Sequence, residues 1–196
     1  KKQKKNHLQS FDLAVQDGRD VLASKKGMER ARLFSHGTCF VRDLVNTTQH
    51  HMNPSELVQV AKKIAKESKD VRVSVYDESQ LKRMGAGGII GVAQGSTHPP
   101  YLVHLTYKPK TKTKKRIALV GKGVTFDSGG LSLKPADGMM TMKCDMAGAA
   151  NVLGIFSVIS KIAPNVEVHG IFAAVENMPS GNALRPGDVV TAMNKK

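Results

Sequence analysis

The residues best suited to chemistry lie in one glycine-rich segment, GKGVTFDSGGLSLKPADGMMTMKCD, which begins at Gly121. It places Lys122, Asp127, Lys134 and Asp145 within a span of 24 residues. Carboxylate oxygens bind magnesium, manganese and zinc. One bridging carboxylate can hold two such ions about 3.5–4 Å apart, an arrangement that activates water. The segment therefore predicts a site for divalent metal ions and for a developing negative charge.

The two lysines narrow the interpretation, because an ammonium group is a poor neighbour for a divalent cation. Lys122 follows an apolar run, and Asp127 stands before two glycines that let another group approach closely. A lysine here either loses its proton and binds metal through nitrogen, or keeps its charge and stabilises an oxyanion. One site could use both options. Taken singly, an aspartate that precedes a helix, as Asp145 does, is more often only a cap.

Helices and strands alternate along the chain and must position these residues. The patterns predict helices over 11–34, 54–68, 77–84 and 147–162, and strands over 71–76, 101–107, 116–121 and 166–175. The run 87–93 suggests a short strand or a close backbone approach, and 177–188 a loop. The fold class is therefore α/β, with a mixed, mostly parallel sheet flanked by helices on both faces. Ligands of such sheets gather at the carboxyl ends of the strands, where the candidate segment begins.

The net charge of +14 is concentrated in two runs. Lys1–Lys5 carries four lysines, and Lys108–Arg116 carries six basic residues in nine. One hypothesis is a basic nucleic-acid-binding module. The other is a tail over 1–10, predicted to be disordered, and a solvated hairpin loop. The second is favoured, because neither run contains aromatic residues that could stack on bases.

Composition excludes several classes of protein. Two cysteines, Cys39 and Cys144, do not make a disulfide framework, so a reducing cytoplasmic setting is expected. No uninterrupted run of 18 apolar residues occurs, and no apolar stretch follows the basic start. We therefore predict neither a membrane span nor a secretory signal.

Two segments resemble the leucyl aminopeptidase (cytosol aminopeptidase) family. They are Gly121–Ala150 and Val175–Val190, the latter reading VENMPSGNALRPGDVV. Shorter matches occur at 42–47 (RDLVNT) and 91–96 (GVAQGS), so the resemblance covers nearly the whole chain. It implies that residues 11–196 are the N-terminal part of a phosphorylase/hydrolase-like catalytic domain.

The resemblance implies a specific chemistry and a role for each candidate residue. Members of the family use two zinc or manganese ions to release the N-terminal residue, of leucine type, from peptides. By position, Lys122, Asp127 and Asp145 would be metal ligands, with Lys122 neutral and Asp127 bridging. Lys134 would be catalytic and polarise the scissile carbonyl. Met142 would line the pocket for the first side chain, unless it is simply packed. All five would contact substrate.

The same resemblance predicts a cytoplasmic homo-hexamer that acts on peptides, with no membrane partner and no nucleic-acid partner expected. It also implies further ligands in an NTDAEGR motif. By its spacing from Asp188, that motif would begin about six residues beyond Lys196, and this sequence does not contain it. We therefore expect an incomplete catalytic domain. Alone, it should bind metal weakly at most and have no useful peptidase activity.

Overall fold

The computed structural model describes residues 10–18 and 20–196. The helices are α1 (Asp20–Asn46), α2 (Pro54–Glu67), α3 (Glu78–Arg83), α4 (Gly87–Ala93), α5 (Ala136–Met139) and α6 (Ala147–Ile162). The strands are β1 (Val71–Tyr76), β2 (Tyr101–Tyr107), β3 (Arg116–Asp127) and β4 (Glu167–Asn177), and Met142–Cys144 forms a 3-10 turn. The α/β class is confirmed. The disordered tail predicted over 1–10 falls, apart from Ser10, outside the described residues.

The strands of the described chain form one mixed sheet in the order β1-β2-β4-β3. β2 pairs antiparallel with both β1 and β4, and only β3 and β4 pair parallel. The expectation of a mostly parallel sheet was therefore wrong. A parallel pair needs a crossover of a dozen or more residues, usually a helix. α6 makes that crossover between β3 and β4, whereas the short helices between β1 and β2 lead the chain back in the opposite direction.

The basic segment 108–115 connects β2 to β3 and is mostly exposed. It is not a hairpin loop, because β4 lies between the two strands that it joins. Thr111 Oγ1 donates a 2.6 Å hydrogen bond to Asn165 Oδ1 just before β4, which ties the segment to the strand that it passes. The predicted hairpin was wrong, since strand order depends on pairing that neighbouring sequence does not encode.

α2 forms where its sequence predicts. The Asn53 side chain accepts a 3.2 Å hydrogen bond from the Glu56 N–H, and Pro54 occupies the first turn. Both features are typical of a helix start. Leu57 and Ala61 lie one turn apart and are fully buried in the core. The start and the buried face of α2 are therefore set by residues that are close together in sequence.

α1 is displaced from its predicted range of 11–34. Residues 11–17 adopt no helix, and α1 runs to Asn46. Its first half is largely exposed, whereas its second half packs on α6. The crossing is close, because a β-carbon on Gly37 would lie 3.3 Å from the Gly154 carbonyl oxygen. Tertiary packing stabilises the second half, and the irregular apolar spacing of 11–34 did not reveal it.

The glycine-rich run 87–93 forms helix α4 and not a strand. The alternative expectation of a close backbone approach is confirmed. A β-carbon on Gly87 would overlap the Thr191 carbonyl oxygen, and one on Gly91 would lie 3.0 Å from side-chain atoms of Leu184 and Val190. Glycine here lets the chain after β4 pack against α4.

α6 is the central core helix. The segment 136–162 is by length and composition apolar enough to cross a membrane, but half of its most apolar window is buried inside the protein. Leu153 and Phe156 are fully buried between the helix and the sheet. Gly170 of β4 lies directly beneath, where a β-carbon would stand 2.5 Å from the Phe156 ring. Its apolar length therefore reflects burial against the sheet and α1.

Candidate active site

β3 carries two of the predicted site residues on the strand itself. The strand continues past its predicted end to Asp127, so Lys122 and Asp127 are both held by the sheet. Lys122 pairs with Ala173 of β4 and Asp127 with Asn177, and the register shifts by one residue between them. Side chains alternate between the two faces of a strand, and the two partners on β4 are four residues apart and so share one face. The bulge therefore places Asp127 on the same face of the sheet as Lys122.

The Asp127 carboxylate is held at both oxygens. Oδ1 accepts hydrogen bonds from Asn177 Nδ2 at 2.7 Å and from the Gly129 N–H at 3.0 Å. Oδ2 forms an ion pair with Lys134 Nζ, which also donates to the Asp127 carbonyl oxygen at 3.2 Å. The structure therefore brings together Asp127 and Lys134.

These contacts keep Asp127 negatively charged. Burial acts to raise the pKa of this carboxyl, but hydrogen bonds from Lys134, Gly129 and Asn177 together outweigh it and hold the pKa below its ordinary value. Asp127 is therefore an anion at neutral pH, as a metal ligand or a counter-ion must be.

A tight glycine turn returns Lys134 to Asp127. Gly129 and Gly130 have φ angles of +87° and +65°, which favour glycine. The Ser128 hydroxyl donates to the Asn177 carbonyl oxygen at 2.8 Å, and the Ser128 carbonyl accepts from the Lys134 N–H at 2.9 Å. The sequence Asp-Ser-Gly-Gly thus forms the turn that the ion pair requires.

Lys122 forms an ion pair with Asp145. Its Nζ lies 2.9 Å from Asp145 Oδ2. The start of α6 is brought to β3 by two glycines in contact: a β-carbon on Gly121 would overlap the Gly148 carbonyl oxygen. Since Asp145 stands just before α6, this contact places its carboxylate at Lys122.

Asp145 Oδ2 is the least satisfied polar atom of this site. It is buried, and the Lys122 ammonium lies within ion-pair distance but outside hydrogen-bonding geometry, so Oδ2 has no hydrogen bond. A buried oxygen short of donors suits a cation. Among the described residues, however, no three His, Cys, Asp or Glu side chains cluster closely enough to hold a metal. The donors present therefore fit part of a metal site: two carboxylates and a lysine nitrogen.

Met142 lies in the 3-10 turn that leads to Asp145 and is half-buried. The adjacent Lys143 donates to the Asn46 carbonyl oxygen at 2.9 Å, which ties this turn to the end of α1. Met142 therefore belongs to an anchored turn that ends directly before Asp145.

The sequence pattern did not indicate Asn177, which lies in the predicted loop 177–188. A cavity of about 200 Å³ lies beside it, lined in part by Gly129, Gly130, Ser132 and Arg185. A larger cavity of about 580 Å³ contains none of the five predicted residues. The signal that could have found Asn177 is its place at the end of an apolar strand, level with the segment that follows β3.

Residues 39–196 match the cytosol aminopeptidase family, catalytic domain. The chain belongs to the cytosol aminopeptidase family. It is 48% identical over 172 residues to a protein of Aquifex aeolicus named "Probable cytosol aminopeptidase", covering 88% of this chain and 35% of that protein. A Gloeobacter violaceus protein of the same name is 44% identical over 192 residues, covering 97% of this chain and 37% of its own length.

The match confirms the resemblance inferred from the two motifs. This cytosol aminopeptidase chain spans about a third of the length of these relatives. The relatives carry aminopeptidase names, and none of these findings supports the alternative of a basic nucleic-acid-binding module.

Proposed function

We propose that this chain carries part of the active site of a metal-dependent aminopeptidase that releases N-terminal residues, of leucine type, from peptides. The supporting observation is the pairing of each lysine with an aspartate around β3: Lys122 with Asp145, and Lys134 with Asp127. Family membership makes peptide hydrolysis the chemistry to test first.

Two divalent ions, zinc or manganese, would act there as Lewis acids and activate a water molecule. Lys122, Asp127 and Asp145 would hold them. Asp127 already carries the required charge, because its hydrogen bonds lower its pKa. Lys122 would need to give up its proton and its contact with Asp145 Oδ2, and this side chain is exposed enough to move.

Lys134 would keep its proton and act on the substrate. Its ammonium group pairs with the Asp127 carboxylate and donates to the Asp127 carbonyl oxygen, and the second contact would remain when the carboxylate binds metal. From there it would polarise the scissile carbonyl and stabilise the negative charge that develops on its oxygen. Met142 would line the pocket for the substrate's first side chain.

The test is hydrolysis of leucine p-nitroanilide with added Mn²⁺ or Zn²⁺. The product of the gene that carries this sequence, expressed at full length, should release p-nitroaniline, and Lys134→Met should reduce kcat at least about 100-fold. Lys114→Met, in the exposed segment 108–115, is the matched control. Equal activity of the wild type and Lys134→Met would refute the assigned role. The 196-residue chain alone should show no turnover, and metal-dependent turnover by it would contradict that part of the proposal.

Partners and location follow from the same proposal. The substrates would be peptides, the location would be the cytoplasm, and the full-length protein would assemble as a homo-hexamer. Light scattering on the full-length product checks the assembly, since a monomeric mass at micromolar concentration would exclude a stable hexamer.

A further inference from the structure

The described structure contains one site contact that none of the assigned roles explains, between Asn177 and Asp127. Asn177 ends β4, and its Nδ2 donates to Asp127 Oδ1 at 2.7 Å, shorter than the 3.0 Å bond from the Gly129 N–H to the same oxygen. The backbone of Asn177 is occupied as well, since its carbonyl accepts from the Ser128 N–H and hydroxyl. Asn177 is therefore attached to the Asp127 loop at three points.

The β3 bulge is what makes this contact. Val124 pairs with Val175 and Asp127 pairs with Asn177, so β3 advances three residues while β4 advances two. In regular register, Asp127 would lie opposite Met178, and its carboxylate would point to the other face of the sheet. The extra residue places the asparagine amide level with the aspartate.

The contact with Asn177 restricts the orientation of the Asp127 carboxylate. With Oδ1 occupied by two N–H donors, rotation of the carboxylate would break both hydrogen bonds, so Oδ2 is the oxygen directed at Lys134. Gly130 lies beside the same amide, because a β-carbon on it would stand 3.0 Å from Asn177 Oδ1, and glycine leaves that position open. Asn177 therefore holds the Asp127 carboxylate through Oδ1, while Oδ2 faces Lys134.

We propose that Asn177 is a positioning residue that fixes the Asp127 carboxylate for cation binding. The inference rests on the proposed function, in which Asp127 is a metal ligand. Hydrogen-bond donors to ligating carboxylates typically change metal affinity about 10–100-fold when removed. We expect a loss of at least about tenfold for Asn177→Ala, with little change in folding.

The first experiment needs no metal. In the ¹⁵N-labelled 196-residue chain, the Asn177 side-chain amide protons should exchange with water at least about tenfold more slowly than those of Asn151, an exposed asparagine of α6. Asp127→Ala should remove that protection. Exchange of the Asn177 amide as fast as that of Asn151 would overturn the inference, whatever the metal does.

The second experiment uses Mn²⁺ as the probe, because its paramagnetic broadening of the Gly129 amide signal detects binding up to the millimolar range. Broadening should occur in the wild type, be absent in Asp127→Ala, and need at least tenfold more Mn²⁺ in Asn177→Ala. Asn151→Ala should match the wild type, and thermal midpoints measured alongside separate lost binding from lost folding.

The two failures are distinguishable. If Mn²⁺ leaves Gly129 unaffected, or if Asp127→Ala does not alter the broadening, the proposed metal role of Asp127 fails, and the inference fails with it. If the broadening depends on Asp127 but the Mn²⁺ requirement of folded Asn177→Ala equals that of the wild type, only the inference about Asn177 fails.

Discussion

Gly148 at the start of α6 lies so close to Lys122 that a β-carbon on the glycine would stand 2.5 Å from the Lys122 backbone nitrogen. This approach of helix to strand places the residues before α6, including Asp145, beside β3. The geometry of the Lys122–Asp145 pair thus depends on a residue that has no functional group of its own.

Gly148→Ala should therefore destabilise the protein. The added methyl group would meet backbone, which cannot move aside as a flexible side chain could, and overpacking of this kind costs about 1–3 kcal/mol. Urea unfolding monitored by circular dichroism measures the change. Gly88→Ala is the matched control, since Gly88 is also helical but has open space around it. It should be neutral or stabilise by up to about 1 kcal/mol. Equal stability of the two variants would show that the close approach is not constrained.

The cap of α2 gives a local prediction. Asn53→Ala removes the acceptor for the Glu56 N–H and should lower the free energy of unfolding by about 1 kcal/mol. Asn53→Asp keeps an acceptor at the same position and should retain most of the stability. If both variants unfolded at the same urea concentration, the cap would contribute nothing.

His104 should make stability depend on pH. Burial, and then the charge of His169, lower the pKa of His104 below 6.5. The two rings are close, with His104 Nε2 2.9 Å from His169 Nδ1, so protonating both would bring two positive charges together. A base with a lowered pKa stabilises the fold above the unfolded value of 6.5, and that stability is lost as pH falls through the folded pKa.

The corresponding measurement compares unfolding free energies at pH 7.5 and pH 5. The wild type should lose more stability on acidification than His104→Gln. His169→Gln should fall between the two, because burial still opposes a charge on His104 when the neighbouring charge is gone. An identical pH dependence in all three proteins would exclude His104 as its source.

Metal should stabilise the folded chain through the two aspartates. A ligand at tenfold excess over its Kd adds about 1.4 kcal/mol, or about 3–5 °C in Tm for a chain of this size. Mn²⁺ should produce such a rise, EDTA should reverse it, and Asp145→Ala should abolish it. Asp137→Ala removes an exposed carboxylate from the same segment and should respond as the wild type does. A rise that persists in Asp145→Ala would place the binding elsewhere.

Much of the fold was predictable because it depends on neighbours in sequence. Asn53 and Pro54 mark the start of α2, and the alternation of 71–76 marks β1, since caps and periodicity act over a few residues. The run 87–93 shows the limit of this reasoning. Its glycines and apolar residues suit either a strand or a helix, and packing of the chain after β4 onto it favours the helix.

By itself, the sequence determined the family and the identity of the chemical groups, because Lys122, Asp127, Lys134 and Asp145 stand at specific spacings within one segment. Only the tertiary structure decided which lysine pairs with which aspartate and that Asn177 holds Asp127. Lys134 and Asp127 are only 7 positions apart and meet through the glycine turn. The Lys122–Asp145 and Asn177–Asp127 contacts join residues 23 and 50 positions apart, through the glycine contact between α6 and β3 and through the β3 bulge. Spacing along the chain carries no record of such contacts, because strand register and helix packing are set by the whole core.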